Sequence, residues 1–84
     1  LESGNEEKAK QSAKKLESEW DDDKMILSVF VNHGLLDEIS ESLARMSSMT
    51  STKELAHFNS EYSVIRVKIH QIKAENGFDV SAFY

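Results

Sequence analysis

The chain has 84 residues, of which 10 are basic and 15 are acidic, and it contains no cysteine and no proline. This length allows one small domain, and the lack of cysteine excludes disulfides and thiolate metal sites. The net charge of −5 disfavours nucleic-acid binding, because a nucleic-acid module needs a basic face. Glycine occurs only at positions 4, 34 and 77, which is too few turn residues for an all-β domain.

We therefore expect a single helical domain over residues 1–84, with residues 1–5 as a disordered or artificially appended leader. No apolar run approaches the roughly 18 residues of a transmembrane helix, and the pattern of a signal peptide is missing. The lack of cysteine suits a reducing compartment. We expect a cytoplasmic protein that has no membrane contact.

The first predicted helix covers residues 6–32. Its early apolar positions follow a spacing of 4, 3 and 4, which is typical of an amphipathic helix: Ala9, Ala13, Leu16 and Trp20. The same rhythm continues through Asp23, a polar interruption, to Leu27 and Phe30. The acidic run 21–23 could instead end one helix and cap a second. We favour one continuous helix, because neither Gly nor Pro occurs at the junction.

Residues 25–31 are apolar at every position except Ser28. A short apolar run of this kind fits either a buried strand or a helix, but no convincing second strand exists to pair with it. A helix that is apolar on most sides should lie centrally or touch a partner, through Met25 and Val29 for example. Trp20 suits the core, and it could alternatively be an exposed anchor for a partner.

The second predicted helix covers residues 35–47 and follows a break at residues 32–34. Gly34 suits the left-handed position that ends a helix. Beyond it, apolar residues recur at a spacing of 3, 4 and 3: Leu36, Ile39, Leu43 and Met46. The hydroxyl-rich stretch 47–52 is predicted to be a loop.

The third predicted helix covers residues 52–76, with Ser51 and Glu54 as a capping box and Gly77 as the stop signal. Its apolar seam follows a heptad spacing: Leu55, Phe58, Tyr62, Ile65, Ile69 and Ile72. The seam could pack inside the bundle or form a coiled coil between two chains, and we favour packing inside the bundle. Val64 and Val67 form a second small apolar patch off the seam.

These elements predict an all-α three-helix bundle with a long N-terminal helix, a heptad-patterned C-terminal helix and a short aromatic tail at residues 78–84. The loops are short enough to make sequential helices antiparallel. The predicted core consists of Leu16, Leu27, Phe30, Leu36, Ile39, Leu43, Leu55, Phe58, Ile65, Ile69 and Ile72. We expect the tail to fold back over the bundle, and the alternative is a short motif for a partner.

No constellation for catalysis, metal or cofactor binding emerges from the sequence. His57 and His70 are thirteen residues apart on one helix, so they face different directions and cannot share a metal. The acidic run lacks the alternating ligands and glycine of a calcium loop. Neither a nucleophile elbow nor a phosphate-binding glycine loop is present. We therefore expect no enzymatic activity.

The predicted function is a helical protein–protein interaction module that self-associates or binds a helical partner, as an assembly or regulatory accessory protein. The residues predicted to contact a partner are Trp20, Met25, Val29, Tyr62, Val64, Val67, Phe83 and Tyr84. One alternative is an acidic inhibitor or nucleic-acid mimic that binds a basic site through carboxylates of residues 17–23. Another is a small helical nucleic-acid-binding domain, which the charge disfavours.

Overall fold

The protein folds into a bundle of three α-helices. The computed structural model describes the backbone of residues 2–78 and the side chains of residues 4–78. Helix α1 spans Glu2–Leu27, α2 spans His33–Ser47 and α3 spans Leu55–Glu75, with a 3₁₀ turn at Thr52–Glu54 before α3. The described residues contain no strand. The prediction of an all-α three-helix bundle is confirmed.

Side-chain contacts show that α1 and α2 run antiparallel. Trp20 of α1 donates a hydrogen bond from Nε1 to Ser40 Oγ of α2 at 3.0 Å. Glu17, which comes earlier in α1, accepts a hydrogen bond from Ser47 at the end of α2. As α1 advances, its contacts on α2 therefore move backwards along the chain.

Helices α1 and α3 run parallel, because Asp23 near the end of α1 pairs with Lys73 near the end of α3, with Oδ2 and Nζ 3.0 Å apart. The bundle therefore has two distinct ends. The turn end holds the α1–α2 connection, residues 28–32, and the C-terminus of α3. The loop end holds the α2–α3 connection, residues 48–54, and the N-terminus of α1.

The core is one cluster of buried apolar side chains, because the apolar stripe of each helix faces the bundle axis. Most of the predicted core residues are in it, and Leu55 is half-buried against its edge. The cluster comprises Ala9, Ala13, Leu16, Trp20, Leu27, Leu36, Ile39, Leu43, Met46, Phe58, Ile65, Ile69 and Ile72.

Helix α1 passes through the acidic run 21–23 without a break, as predicted, but its bounds differ from residues 6–32. It begins at Glu2, so residues 2–5 are helical, and it ends at Leu27. The chain then turns, with the backbone N–H groups of Phe30 and Val31 both donating to the carbonyl of Leu27 at 2.9 and 2.8 Å.

This early end of α1 makes the prediction of a buried Phe30 wrong. The spacing that carries Phe30 onto the core face holds only while the helix continues. Phe30 instead lies in the turn with 65% of its surface exposed. Val31 packs against the core cluster as a half-buried residue.

The prediction that Gly34 adopts the left-handed conformation is also wrong. Gly34 lies in the first turn of α2, where its N–H donates to Asn32 Oδ1 at 2.7 Å. Asn32 is therefore the N-cap of α2, a role in which asparagine is among the preferred residues. Within the described residues, only Gly77 has a positive φ, at 83°.

The two ends of α3 follow the predicted signals in different degrees. Ser51 Oγ donates to Glu54 Oε1 at 3.0 Å, so the two residues of the capping box bond each other rather than the backbone. At the other end, the Phe78 N–H donates to the Lys73 carbonyl at 2.9 Å and the Gly77 N–H to the Ala74 carbonyl at 3.2 Å. This is a Schellman motif, so the predicted stop at Gly77 is confirmed.

The heptad seam of α3 is used within the bundle. Phe58, Ile65 and Ile69 are buried in the core cluster, and the half-buried Tyr62 packs against it. The Phe58 and Tyr62 rings stack with centroids 5.8 Å apart, at the i, i+4 spacing that brings side chains together on a helix. The seam is thus covered by the other helices of the same chain.

Candidate functional site

Four apolar side chains are exposed together where α1 ends, and we call them the end patch. Met25 is 76% exposed, Ile26 54%, Val29 75% and Phe30 65%. All four fall within six consecutive residues, in the last turn of α1 and the turn that follows it. Met25, Ile26 and Val29 lie off the core-facing rhythm of α1, and Phe30 is exposed because α1 ends at Leu27, before that rhythm reaches it.

Acidic side chains border the end patch one helical turn earlier on α1. Asp21 precedes Met25 by four residues and Asp22 precedes Ile26 by four, so each carboxylate lies on the same face as an apolar residue of the patch. Both aspartates are exposed, and neither has a hydrogen bond or ion pair within the described residues. The patch is therefore an apolar surface with an acidic border.

Two other carboxylates of residues 17–23 are engaged inside the bundle. Glu17 accepts a hydrogen bond from Ser47, and Asp23 pairs with the buried Lys73. Asp23 sits on the core-facing rhythm of α1, and the ion pair explains how a carboxylate is accommodated there. These two acids hold helices together and do not face an external partner.

Trp20 is a core residue and not an exposed anchor. Only 2% of its surface is exposed, and its indole N–H is satisfied by Ser40. The placement corrects its inclusion among the partner-contacting residues. A buried tryptophan commonly needs such a hydrogen bond for its polar end.

Of the remaining residues predicted to contact a partner, Met25 and Val29 lie in the end patch. Val64 and Val67 are about half exposed, at 50% and 49%, and lie near the middle of α3 rather than at the end patch. Tyr62 is half-buried, with the Arg66 guanidinium carbon 5.7 Å from its ring centroid. Phe83 and Tyr84, with the rest of the tail beyond Phe78, lie outside the described residues.

A groove of about 470 Å³ runs between α1 and α3 and contains Tyr62 and Val67 in its lining. Its floor is apolar, with Leu16 and Trp20 of α1. The Asp23–Lys73 ion pair lies at its turn end, where α1 and α3 are tied together. The groove is separate from the end patch, because none of the four patch residues lines it.

Ile26 and Phe30 are surface residues that the spacing of apolar residues does not predict. Ile26 is one residue of the apolar run 25–31, and the core-facing rhythm of α1 predicts a buried Phe30. The signal that could have located the end of α1 is Asn32, a preferred N-cap residue ahead of the apolar stripe that begins at Leu36, because a helix start there requires α1 to end before it.

The described residues provide no metal site. No three His, Asp or Glu side chains among them converge into a group able to hold a metal ion. His57 is exposed on α3, and His70 is half-buried beside the α1–α3 groove. None of the described helices combines the length and the apolar content that a membrane span requires.

These features define a small three-helix bundle with an exposed apolar end. The chain belongs to the DUF4363 family, whose description is "Domain of unknown function", and the family model matches residues 1–81. No curated protein and no solved structure matches the chain. The family assignment thus carries no activity that could be transferred.

Proposed function

We propose that this protein is a non-enzymatic interaction module that uses the end patch to contact another protein, either a helical partner or a second copy of itself. The observation that carries the proposal is the exposure of Met25, Ile26, Val29 and Phe30, four apolar side chains within six consecutive residues at the end of α1. Burying a side chain of this size completely contributes about 1.5–3 kcal/mol, so four of them supply a substantial driving force. Contiguous exposed apolar patches commonly mark interaction sites.

The alternative of an acidic inhibitor has weaker support. It needs the carboxylates of residues 17–23 to face outward together, whereas Glu17 and Asp23 are engaged within the bundle. A nucleic-acid-binding role is disfavoured by the net charge of −5. A cytoplasmic location remains part of the proposal and rests on the absence of cysteine.

The experiment compares a Val29→Ser/Phe30→Ser double variant with the wild-type chain. Sedimentation velocity over a range of concentrations measures self-association, and quantitative affinity capture measures retention of partners. We expect the wild type to associate in one of these assays and the double variant to lose that association while keeping its helical circular dichroism. Both substituted residues are exposed, so the fold should survive.

A Val64→Ser/Val67→Ser variant is the matched comparison, because it removes two exposed valines from a different surface. We expect it to associate like the wild type. Loss of association in this variant alone would move the contact surface to α3. A wild type that stays monomeric, and captures nothing that the Val29→Ser/Phe30→Ser variant fails to capture, would end the proposal.

A further inference from the structure

The excess of negative charge is concentrated in residues 19–38, which form the end of α1, the turn and the start of α2. Residues 19–38 contain six acidic residues and one lysine, which accounts for the net charge of −5, and the other residues hold nine acidic and nine basic side chains. These twenty residues also contain the end patch. The exposed apolar surface and the charge excess therefore coincide.

Two of these acidic residues have a basic partner within the bundle. Asp23 pairs with Lys73 at 3.0 Å, and Asp37 lies 3.6 Å from Lys24. The carboxylates that remain on α1 are the exposed Glu19, Asp21 and Asp22. All three lie within two helical turns of the patch, so a molecule covering the patch comes within the Debye length of about 8–10 Å.

From this juxtaposition we propose that the end patch receives an amphipathic helix of a partner protein, whose apolar residues cover the patch and whose lysine or arginine residues flank them. The inference rests on the proposed function and narrows it to one class of partner. Apolar contact supplies the affinity, and the acidic border selects a basic helix over an acidic one.

Charge argues against the other occupants of the patch. A second copy docked patch to patch brings the same aspartates of both chains together, and like charges at an interface are unfavourable. An anionic lipid surface is repelled by the same border. A basic amphipathic helix satisfies both parts of the surface at once.

The test uses two fluorescent helical peptides as probes. Both carry leucine at every third or fourth position, and their remaining positions are mostly lysine in one peptide and mostly glutamate in the other. Fluorescence anisotropy with the full chain measures the affinities, and amide NMR shifts map the site. We expect the lysine peptide to bind at least about tenfold more tightly at low salt, with shifts centred on residues 25–35.

Charge variants show whether the border itself selects the peptide. Asp21→Asn/Asp22→Asn should weaken the lysine peptide about three- to tenfold and flatten its salt dependence. Glu7→Gln/Glu41→Gln removes two exposed carboxylates elsewhere and should change the affinity less than about twofold. An equal loss in both variants would overturn the inference, because the lysine peptide would then respond only to overall charge.

The outcomes also separate this inference from the proposed function. Equal binding of both peptides, weakened in both cases by Val29→Ser/Phe30→Ser, would overturn the charge preference and leave the patch as a contact surface. Failure of the lysine peptide to bind at all would overturn the inference. Shifts that map away from residues 25–35, together with no effect of the patch variant, would count against both.

Discussion

The two ends of the bundle differ in the side chains that form their surfaces. At the loop end, polar side chains make hydrogen bonds within the bundle. Thr52 Oγ1 donates a hydrogen bond to Glu6 of α1, and Ser51 Oγ donates to Glu54 at 3.0 Å. Ser48 Oγ donates to the Arg45 carbonyl at 2.7 Å, which also accepts from the Ser48 backbone N–H at the end of α2. This connection presents hydroxyl groups to water.

The turn end has a connection of similar length but different composition. Residues 28–32 include the exposed apolar side chains Val29 and Phe30, which adjoin Met25 and Ile26 at the end of α1. Asn32 caps α2, so the backbone of the turn is properly terminated. The backbone of the turn end is therefore capped, but its surface exposes apolar side chains to water.

The difference shows that exposure of the end patch is not a by-product of a short connection. The loop end needs an equally sharp reversal and achieves it with serine and threonine. Its one large apolar residue, Met49, packs against the core. Four exposed apolar residues close together at one end of a bundle favour a role in contact with a partner.

The largest expected loss of stability comes from truncating a side chain in the core that both ends of the bundle share. Ile65 is among the most deeply buried side chains, and truncation to Ala leaves a cavity, so Ile65→Ala should lower the free energy of unfolding by about 2–5 kcal/mol. Val64→Ala, at the exposed neighbouring position, should lower it by less than about 1 kcal/mol. Urea unfolding followed by circular dichroism measures both.

A domain this small could fail to fold after losing Ile65, and the milder Ile65→Val substitution then provides the measurement. It should cost about 0.5–1.5 kcal/mol. Equal effects at positions 64 and 65 would contradict the burial assigned to the α3 seam.

The next largest loss of stability is expected from breaking the ion pair that joins α1 to α3 at the turn end. Lys73→Met leaves the Asp23 carboxylate without its cation in a site where only 21% of the side chain is exposed. We expect a loss of about 1–3 kcal/mol, below the range for fully buried pairs because Asp23 keeps some contact with water. The urea midpoint at an unchanged slope reports the loss.

A double variant distinguishes the ion pair from simple packing. Asp23→Leu/Lys73→Met replaces both charges by apolar groups on the core-facing rhythm, so its stability should lie within about 1 kcal/mol of the wild type or above it. A double variant as unstable as the sum of the two single variants would show that the two side chains do not interact.

Much of this architecture could be predicted from the sequence, because helix periodicity is a local property. The stripes through Leu16, Leu43 and Ile65 each follow from the spacing of a single segment. The continuity of α1 through residues 21–23 follows from the absence of Gly and Pro. The end of α3 at Gly77 could be predicted because a helix commonly stops at a residue that tolerates a positive φ.

The exposure of Phe30 and the ion pair could not be predicted in the same way. The exposure of Phe30 depends on α1 ending at Leu27, which is decided by competition between continuing the helix and capping α2 with Asn32. The pairing of Asp23 with Lys73 depends on the register of two helices fifty residues apart. Spacing within one segment marks Asp23 as an interruption but does not identify its partner.

A smaller loss of stability is expected from replacing the glycine at the backbone reversal after α3. Gly77 has a φ of 83°, so Gly77→Ala forces an L-residue into the left-handed region and should cost about 1–2 kcal/mol. Space is not the cause, since a Cβ at this position meets no atom within 4 Å. Gly77→Asn should recover part of the loss, because asparagine tolerates this conformation better.

Thermal unfolding measures these variants, because about 1 kcal/mol shifts the melting temperature of a domain of this size by roughly 4–8 °C. If Gly77→Ala melts at the wild-type temperature, then the Schellman motif does not contribute to stability. A Gly77→Asn variant that melts at a lower temperature than Gly77→Ala would contradict the explanation by the positive φ.

The smallest change in stability is expected for a substitution in the end patch. It is compared with a substitution of an apolar residue at the loop end. Val29→Ser should change the free energy of unfolding by less than about 0.5 kcal/mol, because the side chain already contacts water over 75% of its surface. Met49→Ser at the loop end should cost more than about 1 kcal/mol, because Met49 packs against the core. Urea unfolding compares the two. If Val29→Ser proves as destabilising as Met49→Ser, then the patch supports the fold and the case for its role in binding is lost.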